Sequence, residues 1–304
     1  MKIAAMAAAI CIAGTGLTFA ADMPVKAPPP PAAPVMTWTG FYVGLNVGGA
    51  WDNNHSVDTV GRPVQGFADG VGTGSFAANS AAAATGSTSF GNDGRFIGGG
   101  QIGYNWQFGR GVAGFEADID GLTRQNTASI LNNTVAPFAF FGAGEVINSQ
   151  ITNTRTLDYL GTIRGRLGFL ATPSFLLYAT GGGAYGGAKA STSIVQTNND
   201  CVLHPGDCIT PTAAALGSAS TTRFGWTAGV GGEWMFAPNW SAKAEYLYYD
   251  LGNLSYNSTL TTPGLTFMAG SASVVNVQST AKFNGSIARV GINYHFGGPV
   301  ATTY

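Results

Sequence analysis

Residues 157–169 read Leu-Asp-Tyr-Leu-Gly-Thr-Ile-Arg-Gly-Arg-Leu-Gly-Phe, and residues 175–186 read Phe-Leu-Leu-Tyr-Ala-Thr-Gly-Gly-Gly-Ala-Tyr-Gly. In the first run Leu157, Tyr159, Ile163, Leu167 and Phe169 share one parity, and Asp158, Thr162, Arg164 and Arg166 share the other. A period of two puts these sets on opposite faces of a strand. Residues 171–174, Ala-Thr-Pro-Ser, make a short turn, so the second run returns antiparallel. Such a pair has two homes. In a soluble sheet the apolar face lies against a core; in a membrane barrel it meets lipid and the charges turn into the lumen.

The same alternation recurs along the chain. Strands are predicted over 38–51, 95–108, 112–122, 157–169, 175–186, 223–236, 240–251 and 281–296. In the first, Phe41, Val43, Leu45 and Val47 alternate with Tyr42, Gly44 and Asn46. In the sixth, Phe224, Trp226, Val230, Trp234 and Phe236 stand opposite Gly225, Thr227, Gly229 and Glu233. The fifth strand has an ambiguous face, because Leu176 and Leu177 are both apolar.

The connections alternate in length. Residues 109–111, 171–174 and 237–239 are tight; 52–94, 123–154, 187–222 and 252–280 are long and rich in Gly, Ala, Ser, Thr and Asn. Short periplasmic turns and long external loops on an even strand count mark outer-membrane barrels. The predicted fold is all-β: an eight-stranded antiparallel up-and-down transmembrane β-barrel with four long external loops. A soluble eight-stranded binding barrel would turn its apolar face inward and carry more Lys and Glu outside.

Composition favours the membrane. Only 10% of residues are charged while 45% are hydrophobic. Yet after the N-terminal segment no run approaches the ~18–20 apolar residues of a spanning helix. A barrel resolves this tension by spreading its apolar residues over every second position. Aromatics also gather at strand ends beside the short turns: Trp38, Phe41, Trp106, Phe108, Phe169, Phe175, Trp234, Phe236, Trp240, Tyr294 and Phe296. That is the position of an interfacial girdle.

The N-terminus reads as a signal peptide over 1–20. Lys2 is followed by a short Ala-rich apolar run, and small residues flank a cleavage point after Ala20. Cys11 sits inside that run, without the preceding sequence of a lipoprotein. Loss of Lys2 leaves 13 basic against 15 acidic residues, and nothing in that balance points to nucleic acid. Residues 21–37, with Pro28–Pro31 and Pro34, form a Pro-rich stretch, read as a periplasmic tether or as a leftover without function. The barrel then occupies 38–296 and a tail 297–304.

Few residues suggest chemistry. Gly98–Gly103 and Gly181–Gly186 fit G-x-G-x-x-G, but neither lies between a strand and a helix, as a nucleotide loop must. Cys201 and Cys208 bracket His204 and Asp207. A metal site is conceivable there but lacks a fourth ligand of usual spacing, so a small disulfide loop is the expectation for an exported chain. The histidines, His55, His204 and His295, form no triad pattern in sequence, and no cofactor is expected. The main constellation is the inward parity itself: Glu116, Asp118, Asp120, Arg164, Arg166, Glu233, Lys243, Glu245 and Arg289. An eight-stranded barrel is just wide enough for its own side chains. These nine charges are expected to pair as a plug, with a narrow ion path as the alternative.

Four segments carry a family resemblance: 38–51 (WTGFYVGLNVGGAW), 160–168 (LGTIRGRLG), 243–252 (KAEYLYYDLG) and 288–296 (ARVGINYHF). The chain resembles the small outer-membrane immunogenic proteins of alphaproteobacteria, which are similar to the OmpA-like transmembrane barrels. The resemblance covers nearly the whole mature chain and is absent from the long connections. It implies a cell outer-membrane surface antigen, sometimes described as porin-like, without enzymatic activity. Its implied partners are outer-membrane lipid and, during biogenesis, periplasmic chaperones and the barrel-assembly machinery. Such barrels end on the aromatic residue which that machinery reads; here Phe296 is followed by a tail, so either Phe296 is read internally or Tyr304 replaces it. The expected role is structural and surface-exposed. The alternatives are an adhesin or ligand-binding module acting through the loops, and a narrow channel.

Overall fold

The computed structural model describes residues 37–53, 56–66, 73–91, 94–123, 126–135, 146–199, 212–263 and 272–296. The expected signal peptide, the tether up to residue 36, the tail and the Cys201–Cys208 loop, with His55 and His204, lie outside them. Along the chain the elements are β1 (Gly40–Asp52), β2 (Ser56–Gln65), α1 (Thr73–Ala83), β3 (Gly86–Ser89), β4 (Arg95–Phe108), β5 (Gly111–Leu122), β6 (Asn126–Val135), β7 (Val146–Thr172), β8 (Phe175–Asn198), β9 (Thr212–Ala237), β10 (Trp240–Pro263) and β11 (Ala272–His295).

Eight strands close a ring in the order β1-β4-β5-β7-β8-β9-β10-β11, every neighbour antiparallel. The closing ladder runs from Tyr42↔His295 to Asp52↔Gly285. The tight turns sit at one end. Outward positions of the ring are large, apolar and exposed, among them Leu45, Phe115, Ile163, Leu167, Val230 and Val290. In water that surface would be untenable; against lipid it is the expected belt.

The aromatic residues expected at the interface are outward, from Phe41 and Phe108 to Trp234 and Phe296. Trp38 is the exception: it is fully buried. Trp38 shares the even, inward parity of Tyr42 and Asn46, and its ring packs among buried residues at the turn end of the barrel.

The long connections differ most from the sequence reading. A bilayer needs only about 9–11 tilted residues per strand. β7 to β11 contain 24–27 residues each. Most of the length expected as loops is therefore strand. Above the ring, β6-β7-β8-β9 and β10-β11-β2-β3 form two sheets. The β9–β10 ladder stops at Trp226↔Asp250, while β8–β9 runs on to Thr197↔Thr212 and β10–β11 to Pro263↔Ala272. The split coincides with a register shift between Asp250 and Asn253 and with Gly252 at φ +74°, a backbone state that disfavours other residues. The two sheets share a core of Ile151, Ile194, Ala215, Leu260, Val275 and Val277, into which α1 inserts Ala81. Burial of these alternate residues is what makes the extension strand rather than loop.

A second departure lies in β7. Its ladder to β8 shifts register between Leu157 and Leu160. Leu157 is consequently buried and Asp158 faces out, the reverse of the simple parity reading. One extra residue in a strand exchanges faces for everything beyond it.

Candidate functional site

All nine charges singled out by parity are buried in the ring. β5 supplies Glu116, Asp118 and Asp120; β7 supplies Arg164 and Arg166; β9 supplies Glu233; β10 supplies Lys243 and Glu245; β11 supplies Arg289. Register sets them face to face: Glu116 is opposite Arg164, Lys243 opposite Glu233, and Glu245 opposite Arg289.

The pairs extend across the lumen as well as along ladders. Arg164 reaches Asp118 at 2.7 Å and Glu245 at 2.9 Å, and also donates to Glu116. Arg289 holds Asp120 at 2.6 Å, Asp118 at 2.8 Å and Glu245 at 2.8 Å. Lys243 donates to Glu116 at 2.9 Å. Nearer the tight turns, Arg166 pairs with Glu233 at 2.7 Å and donates to Tyr42 Oη at 2.9 Å, which donates to Glu116 at 2.8 Å. The Arg166 guanidinium also lies 4.0 Å from the Tyr178 ring centroid. Glu233 accepts further bonds from Asn293 and Ser241. Each charge is thus compensated by opposite charge or by several donors, the condition under which buried ions are tolerated.

Parity missed a second cluster above the first. Asp52 Oδ1 pairs with Arg95, and Asp52 Oδ2 pairs with Arg155 at 2.6 Å and accepts from Asn126. Asp52 and Arg95 were legible: Asp52 continues the inward parity of its strand one residue into the expected loop, and Arg95 opens the predicted strand 95–108 on the inward parity of Gln101 and Asn105. Arg155 was not, because the β7 register shift lies between it and Arg164. With these three, the paired interior ions among the described residues number six cations and six carboxylates.

Apolar layers bound the ions. On the turn side, Trp38 packs with Val112, Leu170, Leu176, Tyr178 and Met235. Its indole donates to Pro173 O at 3.1 Å and meets His295 edge-on at 5.7 Å. On the other side, Ile97, Leu160, Leu247 and Ile287 belong to a buried cluster. Further out a hydroxyl layer centres on Thr192, bonded to Asn153, Tyr256 and Ser279, where burial raises the Tyr256 hydroxyl above its ordinary value. Beyond it comes the inter-sheet core with α1.

Ser241, His295 and Glu233 meet beside Trp38, whose ring packs against His295, a grouping not foreseen from sequence. The same His295 nitrogen, Nε2, faces Ser241 Oγ at 2.9 Å and Glu233 at 3.3 Å. A hydrolytic relay needs the base oriented through its second nitrogen and a nucleophile open to substrate. Here one nitrogen serves both contacts and all three residues are buried. Among the described residues no cluster of His, Cys, Asp and Glu could hold a metal ion.

Comparison with known proteins agrees with this architecture. The outer membrane protein beta-barrel domain family matches residues 18–296. The 31 kDa outer-membrane immunogenic protein of Brucella melitensis is 33% identical over 283 residues, covering 91% of this chain and 93% of that one. The 22 kDa outer membrane protein of Rhizobium leguminosarum is 32% identical over 171 residues, covering 55% and 60%. Among solved structures, OprG of Pseudomonas aeruginosa is similar at a TM-score of 0.38 and 11% identity, covering 86% of this chain and 99% of that one.

Proposed function

This chain belongs to the outer membrane protein beta-barrel domain family and resides in the cell outer membrane, and from that premise we propose that it is a closed, non-enzymatic barrel that anchors a rigid two-sheet structure at the cell surface. The observation that supports this best is the filled interior. Nine ions pair across the ring, an indole packs beneath them, and an apolar layer lies above them. An ion crossing this path would have to break pairs at 2.6–2.9 Å and then enter the apolar layers, whose desolvation penalty is several kcal/mol per ion. The strands that pass beyond the bilayer then carry the exposed part of the protein as sheet. The role is structural and display-like: a lipid-anchored surface module whose geometry is fixed by the barrel below it.

Planar-bilayer recording of the purified, refolded barrel tests this reading. The unmutated protein is expected to give no steady conductance above background. Sustained ohmic conductance with intact heat-shifted mobility on gels would replace the plug with the narrow-channel reading.

A further inference from the structure

A groove of about 400 Å³ crosses the outer face of β7, β8 and β9. Its lining includes Thr156 and Asp158 from β7, Lys189 and Ser191 from β8, and Ser218 and Ser220 from β9. Register explains the grouping, since Thr156, Lys189 and Ser220 form one row across the sheet and Thr154, Ser191 and Ser218 the next. Asp158 joins them only because the β7 register shift turns it outward, where it meets Lys189 at 2.7 Å.

Just below lies an aromatic ledge. Tyr159 and Tyr185 are 6.4 Å apart between centroids, and Tyr185 and Phe224 are also 6.4 Å apart. The Tyr185 ring lies over Gly161 and the Tyr159 ring over Gly187, where any Cβ would strike them. Tyr159 Oη bonds Thr222 Oγ1 at 3.0 Å. The height of this ledge follows from β8. From Phe175 to Tyr185 the strand climbs about 33 Å, or about 25 Å when tilted near 40°, which is the height of an outer-membrane apolar band. The ledge is therefore the outer interface, and the groove faces the headgroup stratum immediately above it.

We propose that this groove binds the phosphorylated sugar headgroup of an outer-leaflet glycolipid. The occupant follows from position and chemistry together. The groove lies directly above the lipid-facing belt, so a lipid whose acyl chains lie on that belt presents its headgroup to it. Hydroxyls of Thr156, Ser191, Ser218 and Ser220 both donate and accept, as sugar hydroxyls require. Asp158 accepts from sugar hydroxyl or amide groups. Lys189 carries three donors and spends them on one half-exposed carboxylate, a pair that holds it only weakly. It can turn to a phosphate without leaving a buried charge behind. The flat rings below suit the apolar face of a sugar and the first methylenes of its chains. A groove of this size is within the range that holds small ligands.

The test follows protection of Lys189 in the mature barrel held in micelles doped with a bisphosphorylated diglucosamine glycolipid. Amine acylation is read by peptide mass, with Lys282 as the internal reference. Lys189 is expected to become protected while Lys282 is not. Removing the phosphates should raise the required glycolipid roughly tenfold, the loss of one charge-assisted contact. Ser218→Leu fills the groove without touching Lys189 and should weaken protection similarly, with unchanged heat-shifted mobility. Unaltered Lys189 acylation at saturating glycolipid would overturn the proposal. Equal protection by phosphatidylglycerol would overturn it too, by reducing the site to charge alone, as would equal protection by an acyl-free sugar phosphate.

Discussion

The ion network makes a graded prediction about its arginines. Arg164, once removed, leaves three carboxylates, but each keeps another cation: Glu116 keeps Lys243, and Asp118 and Glu245 keep Arg289. Arg166 is different. Glu233 has Arg166 as its permanent cation and otherwise depends on Ser241, Asn293 and His295. Breaking a buried pair costs roughly 3–5 kcal/mol, because the partner stays charged and unpaired. Arg164→Met is therefore expected near the lower end, about 3 kcal/mol, and Arg166→Met near the upper end, about 5 kcal/mol. Neutralising the orphan should reverse much of the loss, so Arg166→Met with Glu233→Gln is expected to be more stable than Arg166→Met alone. Urea titration of the heat-modifiable gel shift reads all three, with Glu233→Gln completing the cycle. If Arg166→Met unfolds no earlier than Arg164→Met, or the double variant gains nothing over the single, the charges do not act as compensated pairs and the plug reasoning fails.

Three further outcomes follow from position. Val230→Arg, on the lipid face between Phe224 and Trp234, should lose roughly 2–4 kcal/mol of insertion stability, seen as lower folded yield in membranes; normal yield would contradict the assigned outer face. A cysteine at Leu216, exposed on β9 above the belt, should react with an impermeant maleimide on intact cells, and one at Ser174 in a tight turn should not; labelling at Ser174 would invert the orientation. Trp38→Ala should lose roughly 3–5 kcal/mol as a core truncation, measured by the same urea titration, whereas a girdle tryptophan would lose much less.

The ring was legible because its strands obey a strict period of two across the bilayer. Lipid outside and a crowded lumen inside leave every second residue only one acceptable character, so Val230 and Glu233 could each be assigned a face from sequence. Arg95, already inside the predicted strand 95–108, could have been assigned as well, and so could Asp52, had the parity been followed one residue past the expected loop boundary. The outer sheets were not legible. Their buried positions are often small, as with Ala213 and Ala215 on β9, and the alternating exposed positions are mostly small too, as with Thr212, Ala214, Ser218 and Ser220, a composition that also describes loops. Only the opposing sheet, with Leu260, Val275 and Val277, gives those small residues something to bury against. The β7 register shift is likewise a tertiary decision. It turns Leu157 inward and Asp158 outward, and so brings Arg155 to Asp52 and Asp158 to Lys189. Local alternation fixes which residues share a face, whereas the place where a ladder slips depends on what both neighbouring strands must bury.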